Sequence, residues 1–427
     1  MVRVKIRIRN GRVIDPANAI DEIRDILVAD GKILALVTAD EPFDSDQEID
    51  AQGSWVIPGL VDLCARLREP GQEHKATIRS ETRAAASTGI TTLCCPPDTS
   101  PIIDTPAVAE LIQNRAEQAG YANVLPIAAL TQGLRNDQLS EMSALKEAGC
   151  PAVANVGPIA NTQIQRLAME YAQTHDLTVF INPIDEWLAK SGCAHEGKIS
   201  THLGLPGIPV AAETAAVARD LALIELIGVK AHFTRLSTAR AVRMIARAQF
   251  DGLPVTADVC AHQLHLTEMD ISDFDSRCHV IPPLRTQRDK EGLREGVRQN
   301  VIQAICSDHQ PHEADAKLAP FCSTQPGISA LETLLPLTLR LHEEDKLSIL
   351  ECIQRVTCGP ADILGLKTGR LSVGSPADIA IIDPDHYWQL NERTMMSQGL
   401  NTPFTGWEFK GKVTHTMLNG NLVYTLD

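Results

Sequence analysis

Trp55-Val56-Ile57-Pro58-Gly59-Leu60-Val61-Asp62-Leu63-Cys64-Ala65-Arg66-Leu67-Arg68 reads as the first strand of a barrel running into an active-site edge. The apolar run is short and continuous, as in a strand buried on both faces, and charge collects only at its end. Residues two apart on a strand share a face, so Cys64 and Arg66 point the same way. Two histidines at that spacing reach one metal ion. Cys64 is a soft ligand, but a guanidinium has no lone pair to offer. At about 4 Å and an effective dielectric near 20, a unit charge repels a divalent ion by about 8 kcal/mol. That is a large part of the roughly 10 to 16 kcal/mol that a complete zinc site yields. From this segment alone, a barrel strand carrying an ordinary Cys and an Arg is favoured over a metal site.

The 427 residues, 44% of them hydrophobic, suffice for one large domain with a sizeable core and a smaller domain beside it. A formal net charge of -15 and the scarcity of basic runs argue against nucleic acid or an anionic membrane as partner, since both demand a cationic face. No apolar run is long enough to cross a bilayer. The eleven cysteines contain no C-x-x-C pair. The opening Met-Val-Arg-Val-Lys-Ile-Arg-Ile-Arg alternates like a strand and not like a signal peptide, so the expectation is reduced thiols in a cytoplasm.

Residues 2–8 alternate apolar and basic, and Asn10-Gly11 is expected to turn a hairpin into 12–16. Asp30-Gly31 joins strands over 26–29 and 32–36. The far end answers with strands over 377–382 and 412–424, the latter turned at Asn419-Gly420. Both termini, residues 1–56 and 370–427, are expected to build one small β-sandwich. Between them, over 57–369, short apolar strands alternate with helices. Helices are expected over 73–87, 164–174, 213–227, 239–248 and after 288, and strands over 90–95, 178–181, 229–233, 255–259 and 301–306. This alternation is the mark of parallel βα units, and an α/β chain with a TIM-like (β/α)8 barrel fits it best.

With Glu69 and Pro70 added, the opening stretch resembles the start of the amidohydrolase barrel in dihydroorotases, whose pattern is Pro-Gly-Phe-Val-Asp-x-His-x-His-x-Arg-Glu-Pro. Further islands follow in order: Gly204-Leu205-Pro206-Gly207-Ile208-Pro209, Pro282-Pro283-Leu284-Arg285, Ser307-Asp308-His309-Gln310-Pro311-His312 and Asn401-Thr402-Pro403-Phe404-Thr405-Gly406-Trp407. The resemblance runs from about residue 10 to 424 and implies a barrel of the amidohydrolase type. It also locates the positions of the family's chemistry. Cys64 and Arg66 stand at two histidine positions, Asn182 and Arg235 at two more. Residues 154–158 read Ala-Asn-Val-Gly-Pro where relatives place an acid or a carboxylated lysine. Asp308 stands where the family has its catalytic aspartate. A lone carboxylate without a metal-bound water is a poor catalyst of amide hydrolysis, because the metal is what lowers the water pKa. Arg68 and His312 persist at substrate-contact positions, whereas Asp98 and Ile281 replace two Asn. The resemblance therefore implies vestigial positions at Cys64, Arg66, Asn182, Arg235 and Asp308, and on the substrate side at Arg68, Asp98, Ile281 and His312. No catalytic residue, metal or cofactor is expected.

A barrel that keeps its fold markers while losing its ligands has been retained for its surface. The resemblance implies a non-catalytic dihydroorotase-like chain, in a hetero-oligomer with the catalytic chain of aspartate carbamoyltransferase, serving pyrimidine biosynthesis. Two other readings stay open. One is a metal-dependent cyclic amidohydrolase with Cys64, Asp308 and His309 around one metal. The other is an anion sensor on Arg66, Arg68 and Arg235. The plain expectation for His309 and His312 is that each is a hydrogen-bonded loop residue. For the three arginines it is pairing with Asp62, Asp98 or Asp308, and Asp308 in particular needs Arg66 or Arg235, because a buried carboxylate is costly to leave unpaired.

Overall fold

In the computed structural model, residues 4–38 and 41–426 are described. Strands β1 (Ile6–Asp15), β2 (Ile20–Ala29), β3 (Lys32–Val37), β4 (Gln47–Asp50) and β5 (Trp55–Pro58) come first. Through Gly59 the chain passes straight into β6 (Leu60–Asp62), followed by β7 (Ile90–Cys95), β8 (Asn123–Pro126), β9 (Ala128–Ala129), β10 (Ala152–Ala154) and β11 (Thr178–Ile181). The two-residue strands β12 (Ala194–His195) and β13 (Gly207–Ile208) pair with each other in the long loop after β11. Next come β14 (Ala231–Phe233), β15 (Val255–Cys260) and β16 (Ala304–Cys306), and finally β17 (Ile379–Gln389), β18 (Glu408–Leu418) and β19 (Asn421–Thr425).

Strands β6, β7 and β8 pair in parallel, and so do β9, β10, β11, β14, β15 and β16 in that order. One residue separates β8 from β9, and Ile127 N between them donates to Cys95 O at 2.9 Å, so the two act as one stave. The ring closes between β16 and β6. At one level Ile305 N donates to Arg355 O and Val61 N to Val356 O, each at 2.9 Å, and further along the strands Ala65 bridges His309 in parallel. The result is the TIM-like (β/α)8 barrel that the alternation of strands and helices predicts. Leu63, Cys64, Cys94, Ile127, Ala152, Ala154, Phe180, Cys260, Ala304 and Cys306 form one buried cluster, to which Ala152 with Ala154 and Ala304 with Cys306 each contribute two residues of one strand face. Most of its members are small, Ala or Cys.

Local signals set where the helices start and stop. Asn161, Thr238 and Thr286 cap the helices Thr162–Thr174, Ala239–Phe250 and Gln287–Arg298 with their side chains, and Gly228 at φ 77° ends Val210–Ile227. The helix expected from residue 73 instead begins at Ile78, because Thr77 accepts from Ser80 N in a capping box while 70–76 are committed to the rim loop. Among the described residues, no helix is long and apolar enough to cross a membrane.

Both termini share one eight-stranded sheet in the order β19-β18-β17-β5-β1-β2-β3, with β4 also on β1. The sheet has its own core, including Ile6, Ile8, Val13, Ile26, Val56, Ile379 and Met417, distinct from that of the barrel. Asn10-Gly11 does not turn a hairpin. It lies inside β1, where the register with β2 shifts between Ile8 and Gly11 and Asn10 takes φ 61°. The turn into β2 is the helical turn Pro16–Asn18, capped by Asp15. Past the bulge, the outer edge of β1 changes partner from β4 to β5, which is how one strand serves both halves of the sheet. Val2 and Arg3 of the expected first strand lie outside the described residues. The expectation of reduced thiols throughout is also corrected, since Cys193 and Cys322 are joined by a disulfide. They are 129 residues apart, so no local spacing marks them as a pair.

The bulge depends on a missing side chain: a Cβ on Gly11 would stand 2.4 Å from Val56 Cγ2. Gly11→Ala is therefore expected to destabilise the protein by about 1–3 kcal/mol through overpacking, read as a lower urea midpoint. An unchanged midpoint would show that the joint between β1 and β5 relaxes freely.

Candidate functional site at the barrel mouth

Asp308 follows β16 at φ 47°, Arg235 follows β14 at φ 56°, and Arg68 lies beyond β6 at φ 62°. Left-handed backbone costs a non-glycine residue on the order of 1–3 kcal/mol and persists only where the surroundings over-determine it. All three stand at the barrel mouth, where Arg235 and Asp308 meet.

Asp308 Oδ1 accepts from Arg66 Nη1 at 3.1 Å, Arg235 Nη1 at 3.2 Å and Cys64 Sγ at 3.3 Å, while Oδ2 accepts from Gln310 Nε2 at 3.0 Å. Arg66 and Arg235 are each 7% exposed and Asp308 is 2% exposed, so water screens little of this attraction. Burial alone would raise the Asp308 carboxyl, but Arg235 and Arg66 hold it below the ordinary carboxylate range. Burial, and then Asp308, pushes the Cys64 thiol well above its usual range, so it stays protonated. Arg66 also donates from Nε to Asp98 at 2.7 Å. Asp98 is therefore no loose negative charge but the second partner of Arg66.

The expected pairing thus holds for Arg66 and Arg235, with Asp308 taking both guanidiniums where one was expected to suffice. It fails for Asp62 and Arg68. Asp62 accepts from Ser307 N at 2.9 Å, from Ser307 Oγ and from Cys64 N at 3.3 Å, and burial raises its carboxyl to about 6. Arg68 donates to Pro311 O at 3.0 Å and Gln72 Oε1 at 3.4 Å, and its Nη2 lies 3.1 Å from His312 Nε2, so none of its bonds goes to a carboxylate. Burial and then Arg66 bring Arg68 down to about 10.

His309 does not join Cys64 and Asp308 around a common point. Its Nε2 lies 2.8 Å from Glu81 Oε2 and its Nδ1 accepts from Ala330 N, so both ring nitrogens are engaged. His312 is held with Pro326 O 3.0 Å from Nε2 and Lys75 Nζ 3.3 Å from Nδ1. Burial, with Arg68 and Lys75 adding to it, depresses this ring to about 3. Asn182 donates to Val156 O at 2.8 Å and lines a cavity of ≈ 40 Å³ with Cys64, Arg66, Thr234 and Arg235. Ile281 is half-buried and brings no polar group to this network.

The residues at the mouth do not fit a divalent cation. The donors nearest that point are a protonated thiol and the Asp308 carboxylate, whose Oδ1 is shared by two guanidiniums and whose Oδ2 is taken by Gln310. Among the described residues, no group of three or more His, Cys, Asp or Glu is placed to hold a metal. Sequence reasoning missed Lys75, Gln310 and Glu81. Gln310 sits beside Asp308 in a quoted island and carried a signal; Glu81 lies 228 residues from His309 and carried none.

A family model described as Dihydro-orotase-like matches residues 53–241, and one described as Amidohydrolase family matches 314–424. The chain is 49% identical over 420 residues to a dihydroorotase-like protein of Pseudomonas aeruginosa, covering 98% of this chain and 99% of that one. It is 43% identical over 424 residues to a dihydroorotase of Syntrophotalea carbinolica, covering 99% and 100%. Among solved structures, an L-hydantoinase (dihydropyrimidinase) from Arthrobacter aurescens superimposes with a TM-score of 0.89 at 22% identity, over 99% of this chain and 98% of that one. That last likeness speaks for the fold alone.

Asp308→Asn removes the charge both guanidiniums share and is expected to destabilise the fold by about 3–5 kcal/mol, measured by denaturant unfolding. A loss below about 1 kcal/mol would mean the arginines find other partners, as in an exposed ion pair. The second expectation concerns acid. The folded-state value of His312, about 3, lies below the ordinary 6.5, so its neutral ring stabilises the fold above pH 6.5 and that stability is lost as pH falls toward 3. Stability should fall between pH 6.5 and 4, and less steeply in His312→Gln; equal slopes would remove His312 from the cause.

Proposed function

Because this chain belongs to the dihydroorotase-like family of amidohydrolases, we propose that it is a member without dihydroorotase activity, acting as a structural chain of an aspartate carbamoyltransferase complex in cytoplasmic pyrimidine biosynthesis. The observation that carries the first half is the pair of guanidiniums on Asp308. Opening a cyclic amide at neutral pH requires a hydroxide-like nucleophile and a base to take up its proton. A carboxylate held below its ordinary range by two cations is a weak base, and the Cys64 thiol beside it is protonated. By the family resemblance, Arg66 and Arg235 stand at histidine positions, so positive charge stands where a metal would be held.

The second half rests on the family resemblance together with a fold kept whole around a mouth in which Asp98 and Asp308 are paired with Arg66 and Arg235. Selection on such a chain acts through its surface. A stable docking face buries well over about 1,000 Å² in total and is depleted of charge at its centre.

The purified chain, with zinc or manganese added, is expected to open no dihydroorotate ring above background. Mixed at micromolar concentration with the transcarbamoylase catalytic chain of the same cell, it is expected to sediment as one species and to raise that partner's activity. Metal-dependent ring opening would overturn the first statement. Separate sedimenting species, with the transcarbamoylase fully active alone, would overturn the second.

A further inference from the structure

We propose that Cys193 and Cys322 form a reversible thiol–disulfide latch across the barrel mouth, opened by dithiol reductants and closed by small disulfides. The two residues sit on different mouth loops. Cys193 precedes β12 in the loop after β11, and Cys322 lies in the helical turn Phe321–Ser323 after β16. Cys193 is buried and anchored, its N–H donating to Pro206 O at 3.0 Å beside the β12–β13 ladder. Cys322 is exposed. An attacking thiolate therefore has one sulfur open to it.

Selectivity comes from the rest of the chain. The other nine cysteines are free and buried. Their thiols are held above the ordinary range, by burial first in every case except Cys306, where the bond with Cys260 leads. Buried thiols of that kind are inert toward disulfide exchange, which leaves this pair as the site where exchange occurs.

The loop that Cys322 ties down is a roof over polar groups of the mouth. Gln325 Oε1 accepts from Lys75 Nζ, Pro326 O lies 3.0 Å from His312 Nε2, and a Glu313 oxygen lies 3.7 Å from Lys75 Nζ. Its other ties are noncovalent: Gly327 N to His279 O at 2.8 Å, His279 Nδ1 with Thr324 Oγ1 at 2.8 Å, and Ser276 Oγ to Lys317 O at 2.7 Å. Reduction cuts the one covalent link between this roof and the β12–β13 loop.

The exchange balances in two steps. A thiolate of the reductant attacks Cys322 Sγ, the S–S bond breaks, and Cys193 leaves as a thiolate that takes a proton from solvent. The second thiol of the reductant, as thiolate, then attacks its own sulfur in the mixed disulfide. Cys322 is released and protonated, and the reductant ends as a disulfide, having supplied two electrons and two protons.

Alkylation under denaturing conditions followed by mass measurement tests the chemistry. Protein first treated with glutathione disulfide is expected to take nine adducts, and protein treated natively with dithiothreitol eleven, the two new ones on Cys193 and Cys322. Backbone hydrogen exchange over residues 313–327 is expected to rise about tenfold on reduction while the barrel strands are unchanged, and Cys322→Ser should show the same rise without reductant. Eleven adducts after both treatments would overturn the disulfide. Exchange over 313–327 that ignores reduction of the wild-type chain would overturn the latch.

Discussion

A carboxylate on a residue only 2% exposed at the end of a barrel strand must be neutralised, and the arrangement of this mouth follows from how that is done. Asp308 is met by Arg66 from beyond β6 and Arg235 from beyond β14, so one carboxylate joins three staves of the barrel. Arg66 in turn reaches Asp98 beyond β7, which extends the network to a fourth. Within the dihydroorotase-like pattern, Asp98 and Arg66 each look like isolated losses. In the folded protein they are complementary, an acid and a base that satisfy each other, and only the combination with Asp308 balances.

The same network explains why a strained backbone survives there. Of the left-handed residues there, Arg235 and Asp308 belong to it and are held by each other's side chains. Arg235 is tied at both ends, its N–H to Asp258 Oδ1 at 2.5 Å and its guanidinium to Asp308. The barrel thus keeps the geometry that aims side chains into its mouth while the side chains aimed there hold one another. Arg68 stands apart: among the described residues, none of its hydrogen bonds goes to a carboxylate.

Much of this is legible in the sequence, for identifiable reasons. Strands such as Ile90–Cys95 and Thr178–Ile181 each follow a helix with a side-chain N-cap, Thr77 and Asn161, so the alternation of helix and strand places them. The period of two puts Cys64 and Arg66 on one face, and charge arithmetic then demands a carboxylate, which Asp308 supplies. What escapes reading is what has no local pattern. Three-residue staves such as Ala152–Ala154 are too short to show a period. Asn10-Gly11 carries the chemistry of a hairpin turn, yet the crowding of Gly11 by Val56, 45 positions on, makes it a bulge. The pairing of Glu81 with His309, and of Cys193 with Cys322, exists only because the barrel closes.

The passage of β5 through Gly59 into β6 ties the order of synthesis to the order of folding. Residues Trp55–Pro58 pair antiparallel with Ile379–Ile382, more than three hundred residues downstream. While the chain is being made, the barrel staves emerge in sequence and can pair as they appear, but that edge of β5 has no partner until the last strands leave the ribosome. For most of translation the nascent protein therefore carries an open sheet edge at the root of its barrel, a template for pairing with another chain. The C-terminal strands, remote from the mouth and from its chemistry, are what finally cover it.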